Sequence, residues 1–310
     1  MGNLKAGGKA GAFVAIDWGT SSFRAWLMAI DGTPLAERRS DEGMRHCVTS
    51  GFEPVFRRHV AELGGENLPT IICGMAGARQ GWKEAPYLET PTRLDTLHEG
   101  TVPVDIDNDV RILPGISQVS PSQPDVMRGE ETQILGSIEP GFSGLVCIPG
   151  THSKWVVIED GAVVAFSTYM TGELFALIAE HSVVSLALDK DVAASPDNPS
   201  FAAGLRTAQS DDASLSSSLF RIRSAMLLGF AEKGDGSSRL SGLLIGTEIA
   251  DAIHRYGKQK PVRLIAAGSL ARLYETALTA AGFKVTLADA ELASQRGLAR
   301  VALALWNKGC

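Results

Sequence analysis

Apolar and polar positions alternate through the first forty residues in three short runs, "AFVAID", "SFRAWLMAI" and "TPLAERRS". Alternation with period two predicts strands, and Asp31-Gly32 between the second and third run is an Asx-Gly hairpin signal. Ala12 to Ser40 is therefore expected to be an antiparallel meander and not a strand–helix–strand opening. The next stretch, "PVFRRHVAELGG", spaces Val55, Phe56, Val60 and Leu63 along one helical face and stops at Gly64-Gly65. "TIICGMAG" follows as a buried strand running into a glycine turn. The first unit thus reads β-β-β-α-β.

The same pattern returns in "SGLVCIPGTHSKWVVIEDGAVVAFSTYM", again strand, small-residue turn, strand, Asp-Gly turn, strand. Two copies of one meander predict an internally duplicated protein of two domains, with the function between them. From Gly172 to about Ala250 the pattern is helical, broken by "ASPDNPS" and by the serine-rich "SDDASLSSS", a surface loop and helix cap. A strand "VRLIAAGS", a helix "SLARLYETALTAAG", a strand "KVTLAD" and an amphipathic helix "ELASQRGLARVALALW" complete the chain.

Composition narrows the function. The 310 residues are 45% hydrophobic, which suits a soluble globular protein with room for two cores. With 29 basic against 35 acidic residues the net charge is −6, so nothing draws the chain generally to nucleic acid or to an anionic membrane. Aromatic residues, at 6%, are too few for a base-stacking platform. An anionic ligand must be held locally by N–H groups, a few cations or a metal, and the expected partners are small molecules. Cys47, Cys73, Cys147 and Cys310 show no metal-ligand or disulfide spacing and are expected to be buried or incidental thiols. The leading "MGNLKAGGKAG" has no apolar core, Ala6 spoils a myristoylation signal, and no apolar run reaches membrane-spanning length. A cytoplasmic location is expected.

Several motifs carry chemistry. In "DWGTSSFR" the turn after the first strand can offer Gly19, Thr20 and Ser21 N–H and hydroxyl groups to a phosphate. Asp17 would hold a hydrated Mg²⁺ against the same phosphate, so the two anions need not meet directly. "PGTHSKW" repeats the device with Gly150, Thr151 and Ser153, and Lys154 adds a positive charge; His152 is expected to be a turn residue. "LLIGTE" and "IAAGSL" place Gly246 and Gly268 where a flat ring can lie on backbone without a Cβ in the way, with Ser269 and Leu270 beside them, an adenosine site. "TGELF" predicts a helix start with Thr171 as N-cap and Glu173 in the first turn.

The order of Asp17-Trp18-Gly19-Thr20, Gly150-Thr151 and "LIAAGSLARL" resembles the phosphate 1, phosphate 2 and adenosine motifs of the superfamily of sugar kinases, Hsp70 and actin. "GLARVALAL" is similar to the helix that crosses back to the first domain there. More narrowly, "AIDWGTSSFRAWL", "GMAGARQGWKEAPYL", "MRGEETQILG", "PGTHSKWV", "MTGELF" and "LSGLLIGTEIA" together resemble the 2-dehydro-3-deoxygalactonokinase family. The resemblance implies an α/β protein of two RNase H-like, actin-like ATPase domains with an interdomain cleft. Residues 1–136 would mainly bind the sugar acid and residues 137–292 mainly ATP, and residues 293–310 would be the returning helix. It implies transfer of the γ-phosphoryl group of ATP–Mg²⁺ to the terminal hydroxyl of a 2-keto-3-deoxy sugar acid, with domain closure excluding water.

The superfamily usually places an Asp base before the helix leading to the second phosphate loop. Here Glu130 and Glu131 follow Arg128-Gly129 at that place. Either carboxylate meets the requirement; Glu130, first after the glycine, is the expected base and Glu131 a cap. "GMAGARQGW" resembles the substrate loop, with Gly77, Arg79 and Trp82 as contacts and Arg128, Arg24 and Lys83 as further cations for the carboxylate. The residues alone do not separate galactonate from gluconate stereochemistry. The alternatives are a kinase of another sugar acid, a sugar-sensing ATP-binding regulator, or an Hsp70- or actin-like ATPase.

Overall fold

The computed structural model describes residues 10–210, 214–258 and 260–306. The leading segment, Cys310 and part of the serine-rich stretch lie outside these residues. The chain forms two compact units: Met1–Phe142 with Glu159–Ala165 and Ala290–Cys310, and Ser143–Ile158 with Phe166–Asp289.

The first unit opens with the expected meander, β1 (Gly11–Trp18), β2 (Phe23–Ala29) and β3 (Pro34–Ser40). Gly32 takes φ 78° in the hairpin turn, and the Asp31 carboxylate accepts the Thr33 N–H at 3.0 Å. Helices α1 (Met44–Ser50) and α2 (Phe52–Glu62) follow, then β4 (Thr70–Gly74). Where one helix was expected there are two. Gly51, at φ 80°, breaks between them.

The stretch the sequence pattern left unassigned supplies short strands: β5 (Tyr87–Glu89), β6 (Thr92–Arg93), β7 (Val102–Pro103), β8 (Val110–Ile112), β9 (Gly115–Gln118) and β10 (Asp125–Met127). The main sheet runs β3-β2-β1-β4-β8-β7, and β10-β9-β5 form a separate small sheet. Strand β1 pairs antiparallel with β2 and parallel with β4, and is buried from Phe13 to Ile16. Strand β3, at the edge, exposes the charged Glu37 and Arg39, which discourages pairing with other chains, while the half-buried Arg38 pairs with Glu62 of α2. Val55, Phe56 and Val60 of α2 pack on Val14, Ile16 and Trp18 of β1, the face the helical periodicity marked out. Helix α3 (Glu130–Ser137) closes the segment.

The plan repeats in β11 (Gly144–Ile148), β12 (Ser153–Glu159) and β13 (Ala162–Tyr169), of which residues 159–165 are counted with the first unit. Asp160 and Gly161, both at positive φ (47° and 74°), make the hairpin turn. Helices α4 (Thr171–His181), α5 (Pro199–Ala208), α6 (Leu215–Leu227) and α7 (Gly236–Tyr256) follow, then β14 (Val262–Ala266), α8 (Gly268–Ala280) and β15 (Val285–Asp289). The sheet order is β15-β14-β11-β12-β13, with β6 added beside the first residues of β13. The duplication is thus visible in topology. In each six-stranded sheet the meander's third, second and first strands are followed by two parallel strands, β4 and β8 or β14 and β15.

The last helix, α9 (Ala290–Trp306), belongs to the first unit and packs along α3. Glycines let the two backbones touch. A Cβ on Gly136 would lie 1.9 Å from the Ala293 carbonyl oxygen, and one on Gly297 2.0 Å from that of Thr132. Among the described residues no helix is long and apolar enough to cross a membrane.

Candidate functional site

In the first unit, three chain segments converge at the C-terminal ends of β1 and β4. Asp17 stands next to last in β1, with Arg24 of β2 and Cys73 of β4 as its cross-strand neighbours. Gly74 then turns away at φ 88°, where a Cβ would fall 2.7 Å from the Trp18 carbonyl oxygen. Gly129, at φ 105°, approaches to within 3.5 Å, measured from its ideal Cβ to the Gly74 Cα. Two glycines at positive φ therefore allow the start of α3 to sit against the ends of both strands.

That approach brings Asp17, Glu130 and Glu131 into one electrostatic neighbourhood. Asp17 Oδ2 accepts a hydrogen bond from the Ser294 hydroxyl at 3.2 Å, and Gln133 donates to that hydroxyl at 3.4 Å. Burial raises the Asp17 pKa, opposed by the Arg24 charge and by the Ser294 and Cys73 hydrogen bonds. Glu131 is fully buried; it accepts the Gly129 N–H at 2.6 Å and the Thr132 hydroxyl at 3.0 Å. Burial, with the charge of Glu130 second, pushes its pKa up to about 7. Glu130 is only half-buried and accepts the Arg128 N–H at 3.0 Å.

The turn after β1 is partly self-satisfied. Gly19 N–H donates to the Ser22 carbonyl at 2.8 Å, so it closes the turn and is not offered to a phosphate as expected. The Gly19 and Thr20 carbonyls accept the Met44 and Arg45 N–H groups at 2.9 and 3.0 Å. Thr20 is half-buried and Ser21 exposed.

Of the expected substrate contacts, Arg79 alone is an exposed cation without an ion pair or hydrogen bond among the described residues. Trp82 packs instead on the core, 6.0 Å from the Trp18 ring and 5.2 Å from that of Phe56. Arg128 also has structural work: it donates to the Ala85 carbonyl at 2.8 Å and lies 4.3 Å over the Tyr87 ring. Gly77 makes room for it, since a Cβ there would meet Arg128 Nη1 at 2.8 Å. Lys83 pairs with Asp105 at 2.7 Å.

In the second unit, the turn at residues 149–152 is pressed onto the start of α4. A Cβ on Gly172 would lie 2.3 Å from the Gly150 carbonyl oxygen, and Glu173 N–H donates to the Thr151 carbonyl at 3.0 Å. His152 and Glu173 meet at 2.5 Å. Thr171 is not the N-cap, a place taken by Met170; its hydroxyl donates to Glu248. Ser153 turns inward as well, bonding the Tyr274 hydroxyl at 2.9 Å, so its hydroxyl is not presented by the turn. Lys154 is buried, its Nζ 3.4 Å from the His152 carbonyl oxygen.

Glu248 joins these pieces and was missed in the sequence. Its carboxylate, 2% exposed, accepts the Trp155 indole N–H at 2.8 Å and the Tyr274 hydroxyl at 2.7 Å, besides Thr171. Burial raises its pKa against the pull of these donors. The signal was a lone carboxylate inside the apolar "LLIGTEIA". Beside it opens a cavity of about 730 Å³, lined by Gly150, Thr171 and Gly172 at one end and by residues of α7 and α8, Ser269 and Leu270 among them. Gly268 starts α8 exposed, at φ 60°. Gly246 does not line the cavity; it faces α5, where a Cβ would meet that of Ala208 at 2.7 Å, and is a helix-packing glycine.

Sequence comparison relates the chain to known proteins. The profile of a family described as 2-keto-3-deoxy-galactonokinase matches residues 17–301. The chain belongs to this family. It is 46% identical over 301 residues to a Rhizobium meliloti (strain 1021) protein named as a probable 2-dehydro-3-deoxygalactonokinase, covering 96% of this chain and 98% of that one. It is 34% identical to the 2-dehydro-3-deoxygalactonokinase of Escherichia coli (strain K12), covering 95% and 99%. A crystal structure assigned as a 2-dehydro-3-deoxygalactonokinase protein from Sinorhizobium meliloti superposes with TM-score 0.91 at 46% identity, over 95% of this chain and 99% of that one. The activator of 2-hydroxyisocaproyl-CoA dehydratase from Clostridium difficile, solved with ADPNP, shares the fold at TM-score 0.51 and 14% identity, over 96% and 94%. The galactonokinase family member is thus a mixed α/β protein of the actin-like ATPase fold.

Proposed function

We propose that the chain is an ATP-dependent 2-dehydro-3-deoxygalactonokinase that phosphorylates the terminal hydroxyl of its sugar acid in galactonate catabolism. Family membership over nearly the whole chain carries this reading. The geometry supports it, because phosphoryl transfer needs a base for the acceptor proton and a site for the polyphosphate.

Glu130 is the proposed base. It is the half-buried carboxylate of the pair, and Glu131, with no exposure, cannot reach a substrate hydroxyl. Glu131 holds the Gly129 N–H and so fixes the start of α3. Thr20 and Ser21 and the turn at Gly150-Thr151 are the proposed phosphate contacts, with Lys154 lending charge, and Gly268 and Ser269 border the adenosine. Arg79 is the proposed partner of the substrate carboxylate, since it is exposed and uncommitted.

Asp17 fits a hydrated Mg²⁺. It is a carboxylate whose burial works against its charge, so a cation beside it is favoured. Mg²⁺ is commonly held by one or two carboxylates and the phosphates themselves, so a larger protein cage is not required. When bound, the ion would neutralise charge on the transferring group.

The test is turnover of ATP–Mg²⁺ with 2-keto-3-deoxygalactonate, 2-keto-3-deoxygluconate, galactonate and galactose. A carboxylate site left unpaired by a neutral sugar costs roughly 1.5–3 kcal/mol per lost charged contact, so two such contacts imply a preference above about a hundredfold in kcat/KM. The keto-deoxy acids should be phosphorylated and galactose should be poor. Arg79→Ala should narrow the gap by damaging the acid selectively. Comparable rates on galactose would refute carboxylate recognition, and hydrolysis of ATP independent of any acid would refute the kinase.

A further inference from the structure

One face of α7 lies along the cavity of the second unit. Ser237, Ser241, Leu244, Ile245 and Glu248 recur at intervals of three and four residues, the spacing of a single helical face, and the first four line the cavity. Glu248 marks the end near the phosphate turn, because Thr171 at the start of α4 donates to it. At 1.5 Å per residue, Ser241 lies about 10 Å and Ser237 about 16 Å along the helix from Glu248. That is the reach of an extended nucleoside triphosphate from phosphate to base.

At this far end Leu188 lies beside the start of α7, and Asp189 and Lys190 follow it in the lining, the Asp189 N–H donating to the Lys233 carbonyl at 3.2 Å. Ser237 and Ser241 are only 7% and 6% exposed, and neither hydroxyl has a hydrogen-bond partner among the described residues. Neither Oγ is among the fully buried atoms left without a partner, so both hydroxyls are open to the cavity. The charged groups of the lining are otherwise placed: Glu180 is exposed next to His181, Lys190 is exposed, and Asp189 accepts the Asp191 N–H at 3.0 Å.

We infer that Ser237 and Ser241 bond the edge of the donor's purine base, and that the enzyme accepts a 6-amino or a 6-oxo purine triphosphate alike. This rests on the nucleotide reading of the cavity given above. The physical reason lies in the hydroxyl, which both donates and accepts and rotates to suit. A backbone amide or a carboxylate would impose one polarity on the 6-position; two serines impose none.

The experiment measures ATP and inosine triphosphate, which differ at the 6-position, by calorimetric binding and by steady-state transfer to 2-keto-3-deoxygalactonate. The wild-type protein should bind and use the two within about tenfold of each other. Ser237→Ala with Ser241→Ala should weaken both nucleotides about tenfold or more, as loss of two neutral hydrogen bonds implies, and leave the KM for the sugar acid in place. Ser241→Ala alone gives a smaller loss of the same kind and keeps the test if the double variant does not fold. Unchanged nucleotide affinity in these variants, or a preference for ATP above a hundredfold, would overturn the inference. A wild-type protein that binds both nucleotides in a serine-dependent way but transfers nothing to the keto acid would sink the proposed acceptor and leave this inference standing. Binding of neither nucleotide would sink both.

Discussion

At the scale of single residues, Asp17 meets Arg24 through strand pairing, Cys73 through a second pairing and Ser294 through the terminal helix. Asp17→Asn should keep the fold, because an amide oxygen still accepts from Ser294, and should lower kcat by orders of magnitude. Near wild-type kcat with an unchanged circular dichroism spectrum would remove Asp17 from the phosphate site. The neighbouring glutamates should part ways. Glu130→Gln should lose about 10²-fold or more in kcat with little change in substrate KM, and Glu131→Gln should be milder; the reverse order in the two kcat values would transfer the base to Glu131. Glu131 should also show itself in stability. Its pKa of about 7 in the folded protein, against 4.5 for an ordinary Glu, means that the folded state binds more protons between these values. Wild-type stability should therefore fall as pH rises from about 4.5 to about 7 and level off above, with Glu130, Asp17 and Cys73 as the facing titratable groups. Glu131→Gln should be as stable as wild type near pH 5 and more stable at pH 8, by denaturant unfolding at each pH; equal stability at both would contradict the burial argument. The sequence marked both glutamates as a pair. Which one is sealed from solvent depends on Gly129 and α3 docking, and no local pattern encodes that.

At the scale of elements, glycines decide the close contacts. Gly297→Ala would force a Cβ against the Thr132 carbonyl oxygen, a backbone atom that cannot yield without moving α3. The cost should reach the upper part of the usual overpacking range, about 3 kcal/mol or more. Gly234→Ala, with open space around its Cβ, should stay within about 0.5 kcal/mol, and similar melting temperatures for the two variants would contradict the packing assigned to α3 and α9. Both meanders, the α2 face and the order of the later strands and helices were legible, because period and turn chemistry are local signals. Thr171 and Gly246 were legible as special but misassigned. A hydroxyl at a helix start suggests a cap until a buried carboxylate on another helix claims it. A glycine near a nucleotide motif suggests a ring platform until α5 is seen against it. Glu248→Gln should raise the KM for ATP, since an amide would turn an N–H toward one of the three donors now aimed at the carboxylate; Glu248→Ala, leaving them unpaired, should cost stability as well. A nucleotide KM at the wild-type value in Glu248→Gln would reduce this residue to core filling.

At the scale of the whole molecule, the proposed sites for sugar acid and ATP lie in different units, so each ligand should stabilise the protein by itself. ATP at a hundred times its Kd should add about 2.7 kcal/mol to unfolding of the part that binds it, read as a rise in melting temperature without sugar acid present. No shift at saturating ATP would contradict a cavity formed in the free protein. The chain alone determined the class of protein, the duplicated meander, the aspartate and the glutamate pair, because alternation, turn dipeptides and spacing act over a few residues and survive in one dimension. Only the tertiary structure decided that Gly19 N–H and the Ser153 hydroxyl are spent internally, that Trp82 and Arg128 hold the core and loops together, and that Arg79 stays uncommitted. It alone lined up Ser237, Ser241 and Glu248 along one cavity. These are questions of which side chains and polar groups find partners, and the answers come from how segments pack, as where Tyr274 meets Ser153 from 121 residues away.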